Sequence, residues 1–308
     1  MLLGPRDTAV NPSYPLYIVS KGRARLELGT TTRALNALGI PHYIVIEDQE
    51  LKAYQVHKLP RAELLVLDKS YLDNYDTCDD LGTSKSKGPG AARNFVWDHA
   101  QALGAPWHWV MDDNIRRFYR MNNNFISPVQ DGAIFKSMED FSERFSNVAM
   151  TGPNYESLVI RRQKKAPYVL NTRIYSCNLI RTALPYRWRG RYNEDTDLSL
   201  RMLKDRWCTV LFNAFLQDKM ATQKIGGGNT KEFYAQEGTI PKSLMQVNLH
   251  PDVSKFTWRY NRWHHVVNYR QFKHGLKKKP DLVISPGVNN YGMVYQEKVE
   301  NTWQTLTP

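Results

Sequence analysis

The chain has 308 residues, of which 42% are hydrophobic and 23% charged, and its formal net charge is +12. That makeup belongs to a packed, soluble protein, long enough to bury a core without disulfide or metal staples. The three cysteines, Cys78, Cys177 and Cys208, are odd in number and form no CxxC pair. A disulfide scaffold and a zinc-ribbon module are thereby excluded, and a reducing compartment is expected. The first ten residues include Arg6 and Asp7, with no signal-peptide run, and no stretch approaches the roughly 18 apolar residues of a membrane span. The expectation is a cytoplasmic protein that does not engage a membrane.

In chain order, Leu16 to Ser20 is a short β-rich run followed by the basic loop Lys21-Gly22-Arg23. A helical stretch then ends near Leu38-Gly39, with Gly39 placed as a C-cap and Pro41 blocking continuation. His42 to Ile46 and Leu64 to Leu67 read as strands that end near Glu47 and Asp68. The polar stretch from Ser70 to Gly90, with Lys85 and Lys87, reads as a mobile loop. Ala91 to Leu103 reads as a helix, and Trp107 to Met111 as a fourth strand that runs into Asp112-Asp113-Asn114. Strands and helices alternating at this rhythm predict an α/β fold, a mostly parallel twisted sheet with helices on both faces. Ligands of such sheets bind where the carboxyl ends of the strands gather their loops.

The second half is less regular. Met138 to Val148 is a predicted helix, Tyr168 to Ile180 a strand or hairpin, Asp195 to Lys204 a helix and Trp207 to Phe215 a strand. Gly226-Gly227-Gly228 reads as a flexible break, and the last twenty or so residues as an arm or tail. Between Lys255 and Lys279 lie eight basic residues and no acidic one, among them Arg259, Arg262, Lys273 and Lys277. Trp258, Tyr260 and Trp263 are interleaved with them. Cations alternating with flat rings suit a polyanion whose bases can stack, so these four residues are predicted to contact a nucleic acid. A solvated face over an aromatic core, or an acidic protein partner, would explain the same composition.

Four motifs can carry chemistry. Asp112-Asp113-Asn114, at the end of an apolar strand, offers carboxylates to a hard cation such as Mn²⁺ or Mg²⁺ that shares coordination with a diphosphate. An Asp-Asp-Asn run also makes a good turn or helix cap. In Glu194-Asp195-Thr196-Asp197 three carboxylates open a helix. Acidic residues there complement the helix dipole, but one of Glu194 and Asp195 can also be a general base. Asp197 reads as a structural cap. The Gly-Pro-Gly-Ala-Ala-Arg93 helix start and the Ser20-Lys21-Gly22-Arg23 loop can cradle phosphate, although glycines before a helix are also ordinary loop punctuation. His264-His265 cannot easily chelate one ion together. Either is a possible further metal ligand, a phosphate contact or packing. No P-loop, GxGxxG or Ser-His-Asp spacing is present, which leaves kinase, dehydrogenase and hydrolase readings without support.

Tyr17-Ile18-Val19-Ser20-Lys21-Gly22-Arg23, Met111-Asp112-Asp113-Asn114 and Trp263-His264-His265 resemble the TET-associated glycosyltransferases of bacteriophages, over roughly residues 14 to 270. The resemblance implies a GT-A fold over 14–253 and a basic, DNA-contacting C-terminal segment over 254–308. It implies transfer of a sugar from a UDP-sugar to 5-hydroxymethylcytosine in double-stranded DNA, with Mn²⁺ or Mg²⁺. Carried over residue by residue, Glu194 and Asp195 are the catalytic pair. Ser20, Lys21, Arg23, Arg93 and Asp112 are on the nucleotide side, and Asp113, Asn114 and His264 or His265 are the metal ligands. The motif here is Asp-Asp-Asn and not Asp-X-Asp, so its last position is a neutral amide. The rival expectations are a GT-A enzyme acting on a polysaccharide or protein, and a DNA-binding module without catalysis.

Overall fold

The computed structural model describes residues 10–25, 29–79, 87–122, 125–159, 166–220, 240–259 and 261–283. The predicted Gly226–Gly228 break, Lys85, Tyr260 and the C-terminal tail from 284 lie outside the described residues. The first half follows the predicted strands closely. The stretch predicted as a loop from Ser70 to Gly90, however, opens with a short helix over Lys69–Asp73, capped by Asp68, and its residues 80–86 lie outside the described residues. Strands β1 (Leu16–Val19), β2 (His42–Ile46), β3 (Ala62–Val66) and β4 (Trp107–Asp112) are all parallel, in the order β3-β2-β1-β4. Helices α1 (Thr30–Ala37), α2 (Leu51–His57), α3 (Lys69–Asp73) and α4 (Gly90–Ala102) connect them. Gly39 ends α1 as predicted: its φ is +72°, and its N–H donates to the Asn36 carbonyl at 3.1 Å. A left-handed residue at this position costs least when it is glycine.

β1 and β4 are apolar at nearly every position because both faces of the sheet are covered. Leu16 and Ile18 pack on one side with Leu35 of α1 and with Ile134 and Phe135 of α5 (Ala133–Glu143). Tyr17 and Val19 pack on the other with Val96 and Trp97 of α4 and Leu198 of α6 (Glu194–Lys204). Burial of each large apolar side chain contributes about 1.5–3 kcal/mol.

The sheet's second half is mixed, which corrects the expectation that it is mostly parallel throughout. β9 (Cys177–Arg181) runs antiparallel between β4 and β7 (Val148–Tyr155). β10 (Cys208–Lys219) is parallel to β7, β5 (Ile115–Asn122) pairs antiparallel with β10, and β6 (Phe125–Pro128) adds an antiparallel edge strand beside β5. β8 (Tyr168–Leu170) pairs with the first half of β10, giving ten strands among the described residues. The predicted hairpin over 168–180 is two strands that do not pair with each other. Asn171 (φ +57°) and Ser176 (φ +67°) break the chain between them. The helix predicted over 138–148 starts five residues earlier, at Ala133, and Val148 begins a buried strand instead. A short apolar run without alternation does not distinguish the two.

Helix α7 (Ile240–Leu249) supports a separate two-stranded hairpin, β11 (Ser254–Arg259) and β12 (Arg262–Val267). The chain after it returns to the core. The Asn171 amide donates to the carbonyls of Phe272 (3.0 Å) and His274 (2.7 Å), and the Lys277 N–H donates to Asn147 at 2.7 Å. No helix among the described residues is long and apolar enough to cross a membrane.

Glu139 of α5 ties the chain's entry to the sheet. Its buried carboxylate accepts from the Ser13 N–H (2.7 Å), the Tyr14 N–H (3.3 Å) and Trp109 Nε1 (2.9 Å). Glu139→Ala strands these donors and is expected to cost about 2–4 kcal/mol in denaturant unfolding. Glu139→Gln, which keeps an acceptor, is expected to cost less. Equal, negligible effects from both variants would contradict this role.

Candidate active site

The carboxyl ends of β1 and β4 open into a cleft of about 830 Å³, closed on the far side by the start of α6 and the end of β10. The described residues that line it include nine Lys or Arg and six Asp or Glu, a formal excess of three positive charges. Ser20, Lys21, Arg23, Arg93, Asp112, Asp113, Asn114, Glu194 and Asp195 all lie on its walls, so the structure brings together every predicted site residue from the first three motifs.

At the centre is Arg93, on the first turn of α4 and only 2% exposed. One nitrogen, Nη1, reaches Glu194 at 3.0 Å and Asp195 at 2.8 Å, and the other, Nη2, reaches Asp112 at 2.7 Å. Its guanidinium also lies 4.6 Å from the centroid of the Trp188 ring. The loop before α4 is shaped by packing as well as by the cleft. A Cβ on Gly90 would fall 1.8 Å from the Tyr75 hydroxyl, which itself donates to the Gly190 carbonyl.

Successive side chains at the end of β4 go to opposite faces of the sheet. Asp112 follows Val110 toward α4, and Asp113 follows Met111 toward α1. Asp113 is buried, with Ser20 Oγ donating to it at 2.6 Å and Arg23 paired with it. Tyr54 shares this knot through Ser20 Oγ (2.7 Å) and the Arg23 N–H (3.2 Å). Asn114 is buried too, its amide donating to the Met220 carbonyl at 3.0 Å. Of the two carboxylates, Asp112 is the one more open to the cleft.

Burial works against charge on Asp112, but Lys219 and Arg93 on its two oxygens hold its carboxyl far below the usual range. Asp195 moves the other way. Burial, reinforced by Glu194 and Asp112 and opposed by Arg93, pushes its carboxyl up to about 7. Asp197, read as structural, is buried away from the cleft and held by His250 (2.9 Å), Arg201 (2.8 Å) and Arg189 (3.1 Å). Asn193, in the left-handed region at φ +54°, turns the chain into α6 and anchors it to α7 by donating to the Lys242 carbonyl at 2.7 Å.

The predicted metal set does not assemble. Asp113 is committed to Ser20 and Arg23, and Asp112 to Arg93 and Lys219, while Asn114 offers one neutral oxygen. His264 and His265 sit on β12 and do not line the cleft. Burial, with Lys242, Arg173 and His264 nearby, lowers the His265 pKa to about 4, and Arg262 Nε donates to His264 at 3.0 Å. Among the described residues no group of three or more His, Cys, Asp or Glu could hold a metal ion. The residues present do not fit a divalent cation.

A family comparison adds a decisive observation: residues 14–228 match the model of the TET-Associated Glycosyltransferase. The chain belongs to that family. It is thus a member of a glycosyltransferase family, and the match covers β1 through β10 with every cleft residue up to Lys219. The β11–β12 hairpin lies beyond it. A comparison with curated proteins gives no match.

Within this glycosyltransferase the sequence reading missed Lys219, Ser176, Tyr155 and Arg173, all on the cleft wall. Lys219 is hidden because a strand ending at Phe215 stops short of it; the structure continues β10 through buried Leu216 and then the polar Gln217, Asp218 and Lys219. The basic C-terminal segment also divides. Arg259 and Arg262 are exposed on the hairpin, whose His265 is close enough to the cleft residues Arg173 and Lys242 to feel their charge. Lys277 instead joins Asn147, beside the start of β7, whereas Tyr155 at that strand's other end lines the cleft. An eight-residue strand spans about 25 Å. The four predicted DNA contacts therefore do not form one surface.

Arg93→Lys places a point charge where a planar fork holds three carboxylates. It is expected to lower unfolding free energy by about 3 kcal/mol or more and to cut transfer in parallel. A variant as stable as the wild type would contradict the clamp.

Proposed function

We propose that the chain is a GT-A-type glycosyltransferase that moves a sugar from a UDP-sugar to the hydroxyl of 5-hydroxymethylcytosine in DNA. The observation that carries this reading is the acidic pair at the start of α6, set across Arg93 from the strand-end carboxylate Asp112 in a positively charged cleft. A cleft of about 830 Å³ accommodates a nucleotide sugar. The 3-2-1-4 strand order places it at a topological switch point between β1 and β4, a common nucleotide site.

Asp195 is the general base of this reading. A carboxylate with a pKa near 7 is matched to taking a proton from a hydroxyl at neutral pH. As the hydroxyl oxygen bonds to the anomeric carbon, its proton passes to Asp195. The bond from that carbon to the donor's phosphate oxygen breaks, and the diphosphate leaves with the electron pair. Such a direct displacement inverts the anomeric centre.

The hairpin supports DNA over a polysaccharide or protein acceptor. Its strand register puts Phe256, Trp258, Trp263 and His265 on one face and Lys255, Arg259, Arg262 and His264 on the other. Phe256 and Trp263 stack at 4.5 Å, and Trp258 is 56% exposed. The ring face offers stacking to bases, and the exposed pair Arg259 and Arg262 at the hairpin's tip offers charge to the adjoining phosphates. Because the catalytic carboxylates lie inside a cleft, the target nucleotide has to leave the duplex stack to reach them.

Transfer of radiolabelled sugar to a hydroxymethylated duplex tests the reading. Incorporation is expected to rise with pH and level off above about 7, since Asp195 acts in its ionised form. Asp195→Asn is expected to lower kcat by about 100-fold or more with DNA affinity unchanged. Arg259→Ala with Arg262→Ala is expected to weaken DNA binding and flatten its salt dependence, and Lys277→Ala to leave both unchanged. A pH-independent rate with full activity in Asp195→Asn would overturn the base assignment.

A further inference from the structure

We propose that Lys219 takes the place of a divalent cation at the donor's diphosphate, so that sugar transfer by this chain needs no metal. The inference rests on the reading of the cleft as a nucleotide-sugar site, and departs from the metal dependence that the Asp-Asp-Asn motif suggests.

Lys219 lies at the end of β10, on the cleft wall and largely buried. Its Nζ is 2.5 Å from Asp112 Oδ2 and 2.8 Å from Ser176 Oγ, and Ser176 is in turn 2.7 Å from the Tyr155 hydroxyl. Asp112 Oδ1 is occupied by Arg93. The two oxygens of the more open strand-end carboxylate thus each already carry a fixed cation. A divalent ion seated on Asp112 would sit within a few ångströms of both, against their repulsion. Glu194 and Asp195 are themselves taken up by Arg93, and among the described residues no group of three or more His, Cys, Asp or Glu could hold an ion. Mg²⁺ and Mn²⁺ sites are built from several oxygen ligands, with one or more carboxylates free to bind.

The lysine can do the work required. An ammonium group has three donors, and two of Lys219's have partners among the described residues, which leaves one for a phosphate oxygen. Burial opposes its charge, but the Asp112 carboxylate and Tyr155 outweigh that and keep it an ammonium throughout the neutral range. Fixed lysine and arginine groups stabilise charge that develops on a leaving phosphate as metal ions do. The cleft's formal excess of three positive charges is sufficient for a diphosphate without an added dication. In the transfer step the anomeric carbon–oxygen bond breaks toward the diphosphate, whose new negative charge is met by the Lys219 ammonium. Lys219 gives up no proton, and the acceptor's proton goes to Asp195.

Calorimetric titration with UDP, in excess EDTA and again with added Mn²⁺, tests this in the intact protein. Wild-type affinity is expected to agree within about twofold between the two conditions, and electron paramagnetic resonance is expected to show Mn²⁺ remaining free. Lys219→Ala is expected to weaken UDP binding in EDTA by about tenfold or more, and Lys219→Arg by much less. Circular dichroism of both variants checks that they fold, and the wild-type comparison needs neither. UDP binding that requires Mn²⁺ would overturn the metal-free proposal and leave the glycosyltransferase reading standing. A failure to bind UDP in either condition would remove the UDP-donor reading and this proposal with it.

Discussion

The buried guanidinium of Arg93 joins parts of the chain that have no other reason to meet. It draws Asp112 from the end of β4 and Glu194 and Asp195 from the start of α6 onto one side chain packed over Trp188. Three carboxylates this close would repel one another and protonate if they were left unpaired. With Arg93 among them, and Lys219 on the far oxygen of Asp112, the charges settle unequally. Asp112 is held ionised while Asp195 is left near neutrality. Two cations and unequal burial therefore give two neighbouring carboxylates different chemical characters, and the proposed division of the cleft into a phosphate side and a base side rests on that difference.

Much of this was legible in the chain. Apolar runs that stop at Ser20, Glu47 and Asp112 marked three strand ends, and ends of parallel strands are where ligands gather. Gly39 and Pro41 placed the end of α1, and the acidic turn at Glu194 placed the start of α6. Strand alternation also held a signal that went unused. Residues 110 and 112 share a face, as do 111 and 113, so Asp112 belongs with α4 and Arg93, and Asp113 belongs with the Ser20–Arg23 loop.

What stayed hidden depended on distance along the chain. The Arg93 clamp joins residues about a hundred positions apart, and no local pattern reports which cation neutralises which acid. Lys219 lies past the apolar part of its strand, and β5, between β10 and the edge strand β6, carries Arg116, Arg117 and Arg120 in a stretch where hydrophobic alternation is weak. The basic segment from Lys255 to Lys279 looked like one surface because its charge is continuous in sequence. In three dimensions it is a hairpin beside the cleft and an irregular return segment that reaches Asn147 at the opposite end of β7. Only the hairpin has the alternating rings and cations that a nucleic acid would use.

The central claim is that this cleft builds a glycosidic bond on a modified base, and the most direct measurement is nucleoside mass spectrometry. Hydroxymethylated and unmodified duplex DNA, each incubated with the protein and a panel of UDP-sugars and then digested to nucleosides, would be compared. A mass increment of one sugar on 5-hydroxymethyldeoxycytidine, and on no nucleoside of unmodified DNA, is the expected result. No increment with any donor, or an equal increment on unmodified DNA, would contradict it.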